Sequence, residues 1–253
     1  MTTTAQDPAA SARFAPHVTT TPLTEFTAHI VLRSVPEVRR RIYVEAVQPH
    51  DTLAAAELYL WNTYMSATLL RATGIVEVQV RNRIDAGLRA WNTRSGGDEG
   101  WICNPVGILT DIVKPASNKP LTKFANLSTT ENATHDDYVA GLPFGSWIRL
   151  LPNKGVTSPS NPRLQMWDAV FRDALGRAER APHGAASDQL FRLLTIRNRA
   201  AHHRPLLDTK ALQMCHQDVL EVLGRFDRPL KQWMQTEKWI PRAVQAMPAV
   251  RLF

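Results

Sequence analysis

Apolar residues recur at helical spacing along most of this chain, and no stretch alternates apolar and polar positions for the length of a useful strand. Met1 to about Pro22 is rich in Thr and Ala and lacks that periodicity, and the pattern turns helical from Leu23. Pro36, at a first-turn position after Ser34, predicts a helix through Glu37 and Val38 into Arg39-Arg40-Arg41 and beyond. Asp51 or Thr52 is a good N-cap for the next helix, Leu53 to about Ala72. Apolar residues cover most of its circumference, which predicts a central, buried helix. Gly74 is expected to break or cap it. A separate helix then runs from near Ile75 to near Trp91, with Val80, Ile84, Leu88 and Trp91 on one stripe and Glu77, Arg81 and Asp85 on another. The Thr93-Arg94-Ser95-Gly96-Gly97 run ends it.

Residues 94 to about 134 are rich in Pro, Asn and Thr, with short helices expected near Ile108–Val113 and Leu121–Leu127. A further helix starts at His135 and covers Tyr138 to about Leu142, followed by the compact apolar stretch Pro143–Leu151 and a loop from Pro152 to Pro162. Leu164 to Ala178 is amphipathic, with Met166, Trp167, Val170, Phe171, Ala174 and Leu175 at spacings of mostly three and four. Ala185 to His203 is a strong helical pattern bounded by Pro205, and Lys210 to about Trp233 reads as the last long helix. Lys238 to Phe253 reads as a short tail. The expected fold is all-α: one compact helical bundle over residues 23–253, behind a flexible arm at 1–22.

Composition narrows the function classes. Lys and Arg number 30 against 23 Asp and Glu, giving +7, which makes a polyanion such as nucleic acid a reasonable partner. Two cysteines, Cys103 and Cys215, are too few for a disulfide framework and show no zinc spacing. The start lacks the apolar core of a signal peptide, and no apolar run approaches the ~18 residues of a membrane helix. The expectation is a soluble, cytoplasmic protein. No Gly-rich phosphate loop, paired carboxylates or Ser-His-Asp order is legible, so neither cofactor nor metal is expected.

The informative stretch is Leu190 to Pro205. Leu190, Leu193, Leu194 and Ala201 form an apolar stripe, and Arg197 falls on it. A guanidinium there is costly to desolvate unless an anion meets it. Asn198 and His202, four apart, share a face. His202 and His203 occupy the last turn, where the carbonyl end of a helix favours positive charge. A fixed cation, an amide and two imidazoles suit phosphodiester chemistry. The cation stabilises the pentacoordinate phosphorus, and a histidine takes the proton of an attacking 2′-OH or gives one to the leaving 5′-oxygen. The same residues would also serve as an ordinary ion pair and helix-end histidines.

The run Arg197-Asn198-Arg199-Ala200-Ala201-His202-His203-Arg204 resembles the signature of the Abi-like (abortive infection) branch of the HEPN superfamily, read as Arg-Asn-x-x-Ala-His-His. Two upstream blocks also resemble that family, in the same order. One is the Trp61-Asn62 stretch, followed by Glu77-Val78-Gln79-Val80-Arg81-Asn82-Arg83-Ile84; the other is Tyr138-Val139-Ala140-Gly141-Leu142-Pro143-Phe144-Gly145-Ser146-Trp147. Ser146 stands where the family often has an aromatic residue, and the first twenty-odd residues fall outside the match. The resemblance implies an antiparallel HEPN-like bundle with extra helices, dimerising so that two Arg-x4-6-His motifs meet in a composite site. It implies a metal-independent endoribonuclease that leaves a 2′,3′-cyclic phosphate and acts as a toxin or anti-phage effector, with room for an antitoxin or other neutralising partner. Carried over, Arg197 would contact the scissile phosphate, His202 would be the acid/base, and Asn198 would position one or the other. His203 is the competing acid/base, with His202 preferred because it shares the face of Asn198.

Arg192, Arg199 and Arg204 flank the motif and are candidates to track an RNA backbone. Glu77, Arg81 and Asn82 are candidate supporting residues, set against a plain salt-bridged helix face. Arg39-Arg40-Arg41 is a solvated face or a phosphate contact. Trp61, Trp91, Trp147, Trp167 and Trp233 sit at core-like positions rather than as base-stacking platforms. The alternatives to an endoribonuclease are a non-catalytic HEPN-fold module that binds RNA or a nucleotide, and a DNA-binding regulator supported by charge alone.

Overall fold

The computed structural model describes residues 21–115, 119–127, 132–176 and 182–250. The expected arm falls almost wholly outside them. The chain is an all-α helical bundle, with no strand among the described residues. Its helices are α1 (Glu25–Arg33), α2 (Glu37–Glu45), α3 (Thr52–Arg94), α4 (Ile108–Val113), α5 (Leu121–Phe124), α6 (His135–Gly141) and α7 (Phe144–Arg149). Then come α8 (Pro162–Met166), a π turn (Trp167–Phe171), α9 (Arg172–Ala174), α10 (His183–Ala201), α11 (Thr209–Phe226), α12 (Arg228–Glu237) and α13 (Trp239–Gln245).

Four expectations about the helical elements are corrected. Gly74 does not break a helix: α3 runs unbroken through it for 43 residues, about 64 Å at the helical rise. One glycine inside a helix costs only about 1 kcal/mol, and buried Ala72, Thr73 and Val76 beside it outweigh that. The expected helix from Lys210 to Trp233 is two helices. Asp227 accepts a hydrogen bond from Leu230 N at 2.8 Å, so its carboxylate caps α12, and Pro229 suits the first turn that follows. The amphipathic stretch expected over Leu164–Ala178 starts at Pro162 as α8 and widens into a π turn at Trp167–Phe171 before α9, and its expected end at Ala178 lies outside the described residues. The expected tail holds α13, with Trp239, Ile240 and Ala243 buried.

The chain divides into two compact units. The first takes in residues up to Ala72, Ile196–His216 and the chain from Glu237 on. Its core includes Tyr43, Leu58, Trp61, Met65, Leu69, Leu206 and Leu212. Trp61 Nε1 donates to Ala243 O at 2.7 Å, which satisfies the indole and ties α3 to α13. The Arg71 guanidinium lies 3.5 Å from the centroid of the Trp239 ring. Tyr43 and Tyr59 meet edge to face. Burial pushes the Tyr43 phenol up to about 12.

The second unit takes in Thr73–Thr195 and Gln217–Thr236. Val80, Ile84 and Leu88 line its core, as the helical stripe predicts, with Trp147, Trp167 and Phe171. The Pro- and Asn-rich stretch contributes more than its composition suggests. Trp101, Ile102, Leu109 and Val113 are all fully buried. Asn92, fully buried, shapes that stretch by donating to Asp98 O and Asn104 O and accepting from Val106 N. Trp91 is half-buried and Trp233 is exposed at 43%, so neither is the core residue expected.

Candidate functional site

The end of α10 and the turn that follows it carry the motif. Leu190, Leu193, Ile196 and Ala200 are the buried positions, so Arg197 borders the apolar stripe rather than lying on it. Arg197 and Asn198 are half-buried, while His202, His203 and Arg204 are exposed. Arg197 Nη1 reaches Asn198 Oδ1 at 3.4 Å, a long contact that brings the guanidinium over the amide.

The helix ends in a defined turn. His203 N donates to Ala200 O at 3.0 Å, and Arg204 N donates to Arg199 O at 2.8 Å. These two bonds make a Schellman ending, with His202 as the C-cap and His203 in the left-handed position just beyond it. His203 has φ +50°. That position usually holds glycine, because a β-carbon crowds the neighbouring carbonyl there.

The segment after the turn is held by side chains. Asn62, on α3 and 1% exposed, accepts from Leu206 N through Oδ1 at 2.8 Å. Its Nδ2 faces Arg204 O at 3.4 Å. Arg199 Nη2 donates to Pro205 O at 2.6 Å. Arg204 O, Pro205 O and Leu206 N, in the non-helical segment beyond the turn, thus all find partners. Sequence reasoning did not assign Asn62 this part. The available signal is an asparagine next to Trp61 on a helix whose inner face is otherwise largely apolar, since a buried amide needs hydrogen-bond partners.

Arg197, Asn198, Arg199, His202, His203, Arg204 and Asn62 all belong to the first unit. Arg192, Glu77, Arg81 and Asn82 belong to the second. Arg192 is engaged there in a two-pronged pair with buried Asp218, Nε to Oδ2 at 2.9 Å and Nη2 to Oδ1 at 2.7 Å. That hydrogen bonding holds the guanidinium above its ordinary range. Gln189 extends the network by donating to Asp218 and Glu221 and accepting from Arg225 Nη2. Glu77 and Arg81 are half-buried, and Asn82 is exposed. Asp85, assigned to the same stripe as Glu77 and Arg81, instead accepts from Arg89, Trp101 and His135. Arg41 pairs with Glu45 at 3.3 Å on an exposed face.

Among the described residues, no cluster of three or more His, Cys, Asp or Glu could hold a metal ion, and no helix is long and apolar enough to cross a membrane. What stands at the end of α10 is therefore a guanidinium, an amide and two solvent-facing imidazoles on a clamped turn. That set can bind an anion and transfer protons. No family model, curated protein or solved structure matches the chain.

Proposed function

We propose that this chain is a metal-independent endoribonuclease of the Abi-like HEPN type, acting in the cytoplasm as a homodimeric toxin or abortive-infection effector. The observation that carries this reading is the placement of Arg197, Asn198, His202 and His203 at one solvent-facing helix end whose backbone is fixed from outside. In the proposed reaction a ribose 2′-oxygen attacks the adjacent phosphorus and the P–O5′ bond breaks. One imidazole takes the 2′-OH proton, and the 5′-oxygen leaves with a proton from an acid. The products are a 2′,3′-cyclic phosphate and a 5′-hydroxyl. Arg197 offsets the charge that builds on the non-bridging oxygens, and His202 is the first choice for the acid/base. Arg204 is the exposed cation best placed to track the backbone.

The test is cleavage of single-stranded RNA by the purified chain in EDTA. Arg197→Ala and His202→Ala are each expected to lower the rate by about 10²-fold or more with helical content unchanged. Activity that requires added metal overturns the mechanism. Retention of RNA without new ends identifies a non-catalytic RNA- or nucleotide-binding module, and preferential competition by duplex DNA identifies a DNA-binding regulator. A monomer at micromolar concentration overturns the composite site.

A further inference from the structure

We propose that Asn62 is the positioning residue of this site, and that the turn it holds is what presents the two imidazoles; the proposal rests on reading the α10 end as the reactive centre. Three observations lead there. His203 occupies a left-handed position that a glycine would fill with less strain and the same helix ending. A strained residue of this kind persists only where its surroundings over-determine it. The surroundings do so here: both ends of the Asn62 amide and one arm of Arg199 are spent on three consecutive backbone groups just beyond His203. Asn62 is itself buried on α3, so the clamp is anchored in a core element rather than in the loop it restrains.

The consequence is geometric. The directions in which His202 and His203 project are set by the backbone angles of the turn. A turn free to relax its left-handed residue would swing both imidazoles, and a displacement of about 1 Å costs on the order of 10²-fold in rate for groups that must meet a reacting atom. Arg199, a candidate phosphate contact by its sequence position, contributes the middle clamp.

Asn92 supplies an internal control. It uses the same chemistry, a buried amide with both ends on backbone, in the second unit. The experiment compares Asn62→Ala, Arg199→Ala and Asn92→Ala in the full chain. The imidazole carbon–proton resonances of His202 and His203 are followed by NMR, and kcat and KM are measured on single-stranded RNA in EDTA. In Asn62→Ala the two resonances are expected to move toward those of a free histidine while those of His135 and His183 stay in place. The value of kcat falls about tenfold to a hundredfold with KM within about twofold. Arg199→Ala lies on the surface and spares the fold. It moves the same resonances and lowers kcat, whereas a mere phosphate contact would raise KM and leave the rings unmoved. Asn92→Ala lowers stability alone. Resonances of His202 and His203 that stay put in both Asn62→Ala and Arg199→Ala overturn the proposal. Should Asn62→Ala fail to fold, Arg199→Ala decides it. Wild-type protein that leaves RNA uncut overturns the ribonuclease reading, and the ring resonances still decide the positioning of the turn.

Discussion

Asp85 shows how a buried carboxylate can be kept ionised. Burial pushes its pKa up, but hydrogen bonds from His135, Trp101 and Arg89, with the Arg89 charge, more than reverse that and hold the carboxyl below its ordinary range. Arg89 is shared with Asp136. A carboxylate with a depressed folded pKa contributes stability that is present above the unfolded value, near 4, and lost as pH falls through the folded value. Asp85→Asn is therefore expected to flatten part of the acid limb of the stability curve. At neutral pH it should cost about 1–3 kcal/mol, because Arg89 and His135 lose a charged partner. Urea titrations at pH 7 and pH 3 measure both effects. The sequence put Asp85 on a helix face with Glu77 and Arg81, which is correct spacing with the wrong partners. Trp101 and His135 are 16 and 50 residues away along the chain, beyond what periodicity can report.

At the scale of elements, α3 separates two uses of glycine. A β-carbon added at Gly74 would meet nothing within 4 Å. Gly74 thus loosens the helix without serving a close approach, and Gly74→Ala is expected to stabilise the protein by about 0.5–1 kcal/mol. A β-carbon at Gly87 would stand 2.7 Å from Val170 Cγ1, on the π turn, and 3.6 Å from Ala174 Cβ. There the gain in helix propensity is outweighed by overpacking against a stiff β-branched side chain, and Gly87→Ala is expected to lose about 1 kcal/mol net. Thermal melts of the two variants should move in opposite directions. The sequence reads Gly74 as a helix break and sets Gly87 inside the Ile75–Trp91 pattern, and neither reading reports whether a β-carbon would fit. Only the neighbour contributed by another element tells them apart.

At the scale of the whole molecule, α13 closes part of the core of the first unit. Trp239 and Ile240 are buried, and Ala243 O receives the Trp61 indole proton. Removing the chain from Lys238 on leaves the Trp61 N–H without its acceptor and strips roughly 2 kcal/mol of burial for each large apolar side chain lost. The truncated protein is expected to melt at a clearly lower temperature with red-shifted tryptophan emission. Measured by calorimetry and fluorescence, an unchanged melt would show that α13 is dispensable. Locally this segment has the pattern of a tail, because Pro241 and the short apolar run satisfy no long period. Its helix is made worthwhile by Trp61, 182 residues earlier.

Sequence alone determined the all-α class, the N-cap at the start of α3, the Val80–Ile84–Leu88 core stripe and the Arg-to-His run at the end of α10. Each follows from spacing within one helix, and a helix's own period is written in consecutive residues. The tertiary structure decided which breaks were real, and that Arg192 is tied to Asp218. It also decided that His203 sits in a left-handed turn clamped by Asn62. Those features depend on hydrogen bonds and burial between residues far apart in the chain, where the partner rather than the local pattern sets the energy.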